Sequence, residues 1–282
     1  MIKHENRGHT AFITLDNPPA NTWTPEGLRT LEKLVADLNE DRDIYAAVLT
    51  GTGGKFFSAG ADLKSFAGDK VLARHFIARF GAAFEALMNA RFVTIAAING
   101  YAMGGGLECT LACDIRIAEE HAQMALPEPA VGLLPAGSGT QMLPWLVGEG
   151  WAKRMILTNE RIDAATAMRI GLVQEVVAKG KGLETASAMA ERVATLSPRA
   201  VEYCKGLIHN ARNGIPRRAG LSLEALKLMK AYQRLDIEAI SALRLSPTVE
   251  AETESALRDF VRGALEREAR SLAFLDEVRA VP

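Results

Sequence analysis

Two glutamates have the residue type and the surroundings that proton transfer requires. Glu108 follows three consecutive glycines, and Glu128 stands between two prolines. Both lie in otherwise apolar segments, residues 103–111 and 124–134, where an unpaired charge is strongly unfavourable. Either residue alone is more simply explained as a helix-dipole partner or as an exposed loop residue. As a pair converging on one wet pocket, they predict a site that gives and takes a proton near neutral pH.

Two glycine-rich or small-residue turns, at 58–64 and 104–106, predict backbone donors for a ligand. Glycine in a helix costs about 1 kcal/mol against alanine, but it allows a ligand to approach bare N–H groups. Two N–H groups from different loops are what an oxyanion hole for an acyl carbonyl needs. The chain lacks the phosphate-binding spacings G-x-G-x-x-G and G-x-x-x-x-G-K-[ST], and it lacks the nucleophile elbow G-x-S-x-G.

Bulk composition predicts a globular protein with a full core. The chain has 282 residues, of which 48% are apolar and 24% charged, enough for one large domain or slightly more. Because the formal net charge is −1, no positive field favours nucleic acid or acidic lipid, and we expect neither as a partner. The three cysteines form no disulfide framework, and no His or Cys cluster beside them predicts a metal site.

The N-terminal residues predict a cytoplasmic location. They are polar and lead directly into a strand-like segment, without the apolar core of a signal peptide. No run of about 18 apolar residues occurs in the chain, so we expect no membrane span. The cysteines are then small core residues in a reducing compartment.

A strand–helix–strand pattern from residue 10 to about 177 must position the two acids. The apolar spacing predicts strands over 10–15, 46–50, 55–58 and 94–99, and helices over 24–39, 70–90 and 106–112. Strands over 115–118 and 123–126 are predicted to form a hairpin that returns Glu128 toward the helix of Glu108. After residue 171 helix-forming residues dominate, with helices predicted over 183–196, 198–213, 221–243 and 255–278. We interpret this half as a helical layer for subunit association.

Several motifs stand in a specific order and spacing. They are Phe57-Ser58-Ala59-Gly60-Ala61-Asp62-Leu63-Lys64, Ala97-Ile98-Asn99-Gly100-Tyr101-Ala102-Met103-Gly104-Gly105-Gly106-Leu107-Glu108, Cys113-Asp114, Pro127-Glu128 and Gly132-Leu133-Leu134-Pro135. Over roughly residues 8–215 the chain therefore closely resembles the crotonase superfamily, the enoyl-CoA hydratase/isomerase family. The resemblance implies an α/β fold with a crotonase-like β-β-α spiral core, residues 1–196, which holds the active site. It further implies an α-helical C-terminal trimerisation region, residues 197–282, and usually a hexamer.

The resemblance also implies roles for individual residues. The N–H groups of Ala61 and Gly105 would bind the thioester oxygen as an oxyanion hole, and Glu108 and Glu128 fall on the two acid positions of true hydratases. The residues implied to contact the substrate and its CoA portion are Ala59, Ala61, Asp62, Leu63, Lys64 and Gly105. Coenzyme A is part of the substrate, so no separate cofactor and no metal is implied.

The function implied is an enoyl-CoA hydratase, a lyase of fatty acid β-oxidation or of related acyl or aromatic degradation. It would add water across the 2,3 double bond of a 2-enoyl-CoA to give 3-hydroxyacyl-CoA. Glu108 is assigned to activating the water and Glu128 to protonating the α-carbon, although two close carboxylates titrate as a pair. The alternatives are an enoyl-CoA isomerase or other enolate chemistry on an acyl-CoA, and a non-catalytic scaffold or RNA-binding member. The near-zero net charge and the intact acid pair argue against the last two.

The acyl group is not predicted. Apolar residues of segment 65–88 either line an acyl pocket or form an ordinary core stripe of a helix, and the spacing does not distinguish the two. These residues are Phe66, Phe76, Ile77, Phe80 and Phe84.

Overall fold

The computed structural model describes residues 2–65 and 70–212. The chain divides into two compact units at the junction of Thr195 and Leu196. In the first unit the strands are β1 (Ile2–Arg7), β2 (Thr10–Leu15), β3 (Ala46–Gly51), β4 (Phe56–Ser58), β5 (Val93–Ile98), β6 (Tyr101–Met103), β7 (Ile115–Glu119), β8 (Gln123–Ala125), β9 (Ile162–Asp163) and β10 (Glu175–Val177). Its helices are α1 (Pro25–Glu40), α2 (Lys70–Met88), α3 (Gly105–Leu111), α4 (Gly139–Leu157), α5 (Ala164–Arg169) and α6 (Gly182–Ala194).

In the second unit the structure describes one helix, α7 (Pro198–Arg212). The helices predicted over 221–243 and 255–278 lie outside the described residues. In the described part of the chain no helix has both the length and the apolar character needed to cross a membrane.

Local sequence signals explain where the first helix begins. The Thr24 side chain accepts a hydrogen bond from the Gly27 N–H, and Pro25 takes the first helical position, where its missing N–H has no consequence. The helix predicted over 24–39 is therefore confirmed, with Thr24 as its N-cap. The apolar stripe of α1 is buried at Leu28, Leu31, Val35 and Leu38.

The strands form two sheets. The larger sheet has the order β1-β2-β3-β5-β7-β10, and the smaller has the order β4-β6-β8-β9. Only the β1–β2 and β8–β9 pairs are antiparallel among the described strands. Strand β3 is buried along its whole length, as expected for a central parallel strand covered on both faces. Strand β1 is a polar edge strand, which the apolar pattern could not predict.

The predicted hairpin of residues 115–118 and 123–126 is wrong. Strand β7 belongs to the larger sheet, and its two edges are taken by β5 and β10. Strand β8 lies in the smaller sheet between β6 and β9, so neither strand has an edge free for the other. Instead the chain passes from the larger sheet to the smaller one three times, from β3 to β4, from β5 to β6 and from β7 to β8.

The passages from β3 to β4 and from β5 to β6 each require a glycine. A Cβ at Gly100 would lie 2.3 Å from the carbonyl oxygen of Lys55, which is closer than any side chain tolerates. A Cβ at Gly51 would lie 2.4 Å from the carbonyl oxygen of Phe56. These two glycines therefore allow the strand that precedes the Ala61 turn to pack directly on the corner of the sheets.

A buried arginine fixes the C-terminal end of α3, the helix that holds Glu108. The Arg116 guanidinium donates to the carbonyl oxygens of Cys113 (2.8 Å) and Thr110 (3.3 Å). It also donates to the carbonyl oxygen of Leu172 (2.7 Å). Carbonyl groups at a helix end have no partners inside the helix, so Arg116 ties this end to the strand β10 region.

Candidate active site

The turn after β4 leaves the N–H of Ala61 without an acceptor among residues 2–65 and 70–212. On one side the Trp23 N–H donates to the carbonyl oxygen of Gly60 (2.8 Å), and on the other the Asp62 N–H donates to the carbonyl oxygen of Trp23 (2.9 Å). The N–H groups at positions 59 and 60 also have acceptors. Within the described residues the Ala61 N–H has none. The turn therefore holds one backbone donor available to a ligand.

The second donor is the N–H of Gly105. Gly105 is the first residue of α3, so its N–H has no acceptor inside the helix. A Cβ at Gly60, where φ is +89°, would lie 3.1 Å from the Gly105 nitrogen and 2.7 Å from the carbonyl oxygen of Met103. Glycine at position 60 thus lets the two turns touch. The N–H groups of Ala61 and Gly105, for which the described residues provide no acceptor, therefore come from neighbouring turns, as an oxyanion hole requires.

Glu108 lies one helical turn beyond Gly105 and is 2% exposed. Its Oε1 accepts hydrogen bonds from the N–H groups of Gly137 (2.8 Å) and Gly139 (2.7 Å). Burial, together with the charge of Glu128, raises the pKa of this carboxyl to about 7, against the Gly139 and Gly137 donors, which lower it. The loop before α4 thus fixes the carboxylate of Glu108 in place.

Glu128 begins a 3-10 turn, Glu128–Val131, directly after β8. A Cβ at Gly104 would lie 2.9 Å from its Oε1, so the carboxyl group sits against the residue that precedes the Gly105 donor. Its Oε2 is buried and has no hydrogen-bond partner in the described part of the chain. Burial raises the pKa of Glu128 to about 7.

The structure brings both acids to the turn 104–106. Because their pKa values lie near 7, each exists in both protonation states near neutral pH, which suits a general acid and a general base. Across residues 2–65 and 70–212, no three His, Cys, Asp or Glu side chains gather closely enough to hold a metal ion. The arrangement supports proton transfer to and from a compound whose carbonyl oxygen binds the backbone donors.

The raised pKa values predict how stability changes with pH. A carboxyl whose pKa is higher in the folded state than in the unfolded state contributes stability below the unfolded pKa and loses it as pH rises through the folded pKa. For Glu108 the rise from 4.5 to about 7 corresponds to about 3 kcal/mol. We expect the melting temperature of the wild type to decrease as the pH is raised from 5 to 8.5, and that of Glu108→Gln to decrease less. Scanning calorimetry across this range measures both slopes, and parallel slopes would refute the assignment.

The implied CoA-contact residues lie on the rim of this site. Asp62 accepts hydrogen bonds from the Lys64 N–H (3.2 Å) and from the Ser65 hydroxyl (3.2 Å), so its carboxylate stabilises the 3-10 turn Leu63–Ser65. The side chains of Leu63 and Lys64 are exposed. Their roles toward CoA stay predictions.

A row of aromatic rings on α2 covers the site from one side. Phe76, Phe80 and Phe84 are buried, with ring centroids 5.1 Å and 5.6 Å apart along the row. A Cβ at Gly105 would lie 2.5 Å from the Phe80 Cε1. A Cβ at Gly137 would lie 2.6 Å from the Phe84 Cδ2. Two of these rings therefore belong to the core and contact the site as well.

The other two predicted pocket residues differ. Ile77 is 37% exposed, unlike the three buried rings. Phe66 lies outside the described residues.

Sequence reasoning missed the backbone donors of Gly137 and Gly139. Their signal is the alternation Gly137-Ser138-Gly139 after Pro135, but glycines before a helix are also common in plain turns. A Cβ at Gly139 would lie 2.8 Å from the Glu108 Oε1. Glycine at this position is thus required by the close approach of the carboxylate.

Comparison with known proteins identifies relatives over most of the chain. The family model described as enoyl-CoA hydratase/isomerase matches residues 5–243. The (E)-benzylidenesuccinyl-CoA hydratase of Thauera aromatica is 40% identical over 202 residues, which is 71% of this chain and 79% of that protein.

Solved structures with a similar fold match large parts of the chain. The structure of Pseudomonas aeruginosa DspI is 63% identical, with a TM-score of 0.75, and the match covers 76% of this chain and 88% of that one. The crystal structure of an enoyl-CoA hydratase from Bacillus anthracis is 31% identical, with a TM-score of 0.73 and coverage of 99% and 95%. The crotonase-type α/β fold predicted from the motifs is therefore confirmed.

Proposed function

The chain belongs to the enoyl-CoA hydratase/isomerase family, and from this premise we propose that it is a hydratase, which converts a 2-enoyl-CoA and water to a 3-hydroxyacyl-CoA. The observation that supports hydration is the acid pair. Glu108 and Glu128 both have a buried carboxyl group with a pKa of about 7, and both lie beside the turn of Gly105. Adding water to a double bond needs one proton removed and one delivered, which two such groups provide.

The substrate carbonyl would accept hydrogen bonds from the N–H groups of Ala61 and Gly105. These donors polarise the thioester, make C3 electrophilic and stabilise the enolate that forms when water attacks. One donor of this type contributes about 3–4 kcal/mol to the transition state in comparable acyl chemistry. Because the donors are backbone groups in fixed turns, they need no reorganisation during the reaction.

The environments of the two acids support different roles. Two N–H groups donate to Glu108 Oε1 and favour its ionised form, which suits the base that takes a proton from the attacking water. Glu128 Oε2 has no donor in the described residues, which suits a carboxyl that holds a proton and delivers it to C2. The water oxygen then becomes the 3-hydroxyl group, and the two acids have exchanged protonation states.

The CoA portion would lie over the turn that follows β4. Ala59, Asp62, Leu63 and Lys64 are proposed to contact it, together with the two donor residues. The exposed Lys64 places a positive charge on this rim, which suits the phosphates of CoA. A role in fatty acid or aromatic acyl degradation, in the cytoplasm, is part of the same proposal.

Hydration is tested with crotonyl-CoA. We expect loss of the enoyl thioester absorbance and formation of 3-hydroxybutyryl-CoA. An enoyl-CoA isomerase would instead form the conjugated thioester from a 3-enoyl-CoA without consuming 2-enoyl-CoA. A protein that turns over neither compound, nor longer or aromatic homologues such as octenoyl-CoA and cinnamoyl-CoA, would contradict the proposal. The same panel identifies the acyl group accepted beside Phe80 and Phe84.

We also propose assembly into a trimer or a hexamer. Several large apolar side chains of the first unit are more than half exposed, as subunit contacts would require. They are Val131, Leu134, Trp145 and Leu157. Light scattering should give three or six times the mass of one chain, whereas a monomer at micromolar concentration would exclude this assembly.

A further inference from the structure

Ser138 has an unfavourable backbone conformation for a residue other than glycine. Its φ is +87° and its ψ is 5°, in the left-handed region that side chains with a Cβ disfavour. A glycine at this position would be free of that strain, because it has no Cβ. Strain of this kind at a site is a reason to ask what the side chain does there.

The Ser138 side chain does not stabilise the helix that it precedes. Ser138 is the N-cap residue of α4, but its hydroxyl makes no capping hydrogen bond, although capping is the usual role of serine at such a position. Its Oγ is buried and has no hydrogen-bond partner among the described residues. A buried hydroxyl without a partner is unfavourable, so the fold alone does not explain this serine.

The position of Ser138 relates it to the acid pair. The N–H groups of the residues on either side, Gly137 and Gly139, both donate to Glu108 Oε1. Ser138 is therefore flanked on both sides by the residues whose N–H groups bind Glu108, the proposed base. The buried Oε2 of Glu128, like the Ser138 hydroxyl, has no partner in the described part of the chain.

We propose that the Ser138 hydroxyl binds the oxygen atom that is added at C3 of the substrate. In the forward direction this oxygen is that of the attacking water, and in the product it is the 3-hydroxyl group. A serine hydroxyl donates one hydrogen bond and accepts others, so it can bind both forms. Ser138 is then a specificity residue for compounds oxygenated at C3. This inference rests on the proposed function, because hydration defines which oxygen is bound.

Two variants separate the hydroxyl from the backbone strain. Ser138→Ala removes the hydroxyl and keeps the Cβ, whereas Ser138→Gly removes the hydroxyl and relieves the strain. Calorimetric titration would measure the affinity of each protein for 3-hydroxybutyryl-CoA and butyryl-CoA, and for 3-hydroxyoctanoyl-CoA and octanoyl-CoA. The members of each pair differ only in the 3-hydroxyl group.

Both variants should bind the 3-hydroxy ligands about three- to tenfold more weakly, the effect of one hydrogen bond. Their affinity for the saturated acyl-CoA ligands should change less than about twofold, the scatter expected when no hydrogen bond is lost. Ser138→Gly should also melt at a higher temperature than the wild type, which excludes a merely structural role. Equal weakening of both ligand types, or unchanged binding of the 3-hydroxy ligands, would overturn the inference.

The binding measurement does not depend on turnover. A wild-type protein that prefers the 3-hydroxy ligands through Ser138, yet hydrates no enoyl-CoA, would support the role of Ser138 and overturn the proposed function. The opposite result is a protein that hydrates enoyl-CoA and whose Ser138→Gly variant keeps its full preference for the 3-hydroxy ligands. That result would support the proposed function and overturn the role of Ser138.

Discussion

Glu108→Gln and Glu128→Gln should each hydrate enoyl-CoA at least about 100-fold more slowly than the wild type, the scale of general acid–base catalysis. Glutamine keeps the size of the side chain, and at position 108 its carbonyl oxygen can still accept from Gly137 and Gly139. What it cannot do is exchange a proton near neutral pH. Stopped-flow or steady-state absorbance with crotonyl-CoA measures kcat, and titration with butyryl-CoA should show that binding survives.

Glu119→Gln is the matched control for these variants. Glu119 is also a buried glutamate, 5% exposed, and it also accepts from two backbone N–H groups, those of Gly180 (2.8 Å) and Gly182 (3.2 Å). Glu119 is the last residue of β7, and its two donors lie at the start of α6 rather than in the turn of Gly105. The kcat of Glu119→Gln should therefore stay within about threefold of wild type, below the ~10² of acid–base catalysis. Near-normal hydration by Glu108→Gln or Glu128→Gln would disprove the hydratase mechanism.

Removing the N–H of Gly105 should lower kcat by about 10²–10³, the effect of one oxyanion donor. Proline removes that donor and is tolerated at the first position of a helix. It also adds a Cβ, which would lie 2.5 Å from the Phe80 ring. The substitution is therefore best made together with Phe80→Leu, which gives the new atoms room.

The control is Gly105→Ala in the same Phe80→Leu background. Both double variants have the smaller residue 80 and a Cβ at position 105, and they differ chiefly in the N–H group. Circular dichroism first establishes that both fold, and hydration kinetics then compares them. If the proline variant is as active as the alanine variant, the substrate carbonyl does not bind Gly105.

Much of the fold could be predicted because strong local patterns agree with the tertiary structure. The helix over 24–39 has an N-cap, a proline and an apolar stripe, and the structure has α1 there. The apolar pattern did not predict the strands whose formation depends on packing against neighbouring strands. Strand β1 is polar, and β6 and β9 have only two or three residues, so neighbouring strands rather than their own sequences stabilise them. The predicted hairpin of β7 and β8 was wrong because the sheet that a strand joins depends on which strand edges are free.

The candidate site also divides into residues that the sequence predicted and residues that it did not. Glu108 and Glu128 could be found from sequence because a charged residue in an apolar segment is conspicuous. Their arrival at the same turn could not be derived from the spacing, since the chain between them runs through two sheets. Gly137 and Gly139 were missed because a backbone donor leaves no side-chain signature. The strain and the unpaired hydroxyl of Ser138 exist only in three dimensions.

The division of the site between backbone donors and side-chain acids bears on how such a protein can evolve. A point mutation readily replaces Glu108 or Glu128, but only a change to proline deletes the N–H of Ala61 or Gly105. Most point mutations therefore leave the proposed activation of the carbonyl by backbone N–H groups intact, whereas a single substitution can remove a carboxyl group that transfers protons. Gene duplicates of this chain could change the reaction at C2 and C3 in a few steps while thioester recognition persists throughout. Diversification should thus begin at the two acids and leave the turns of the oxyanion hole intact.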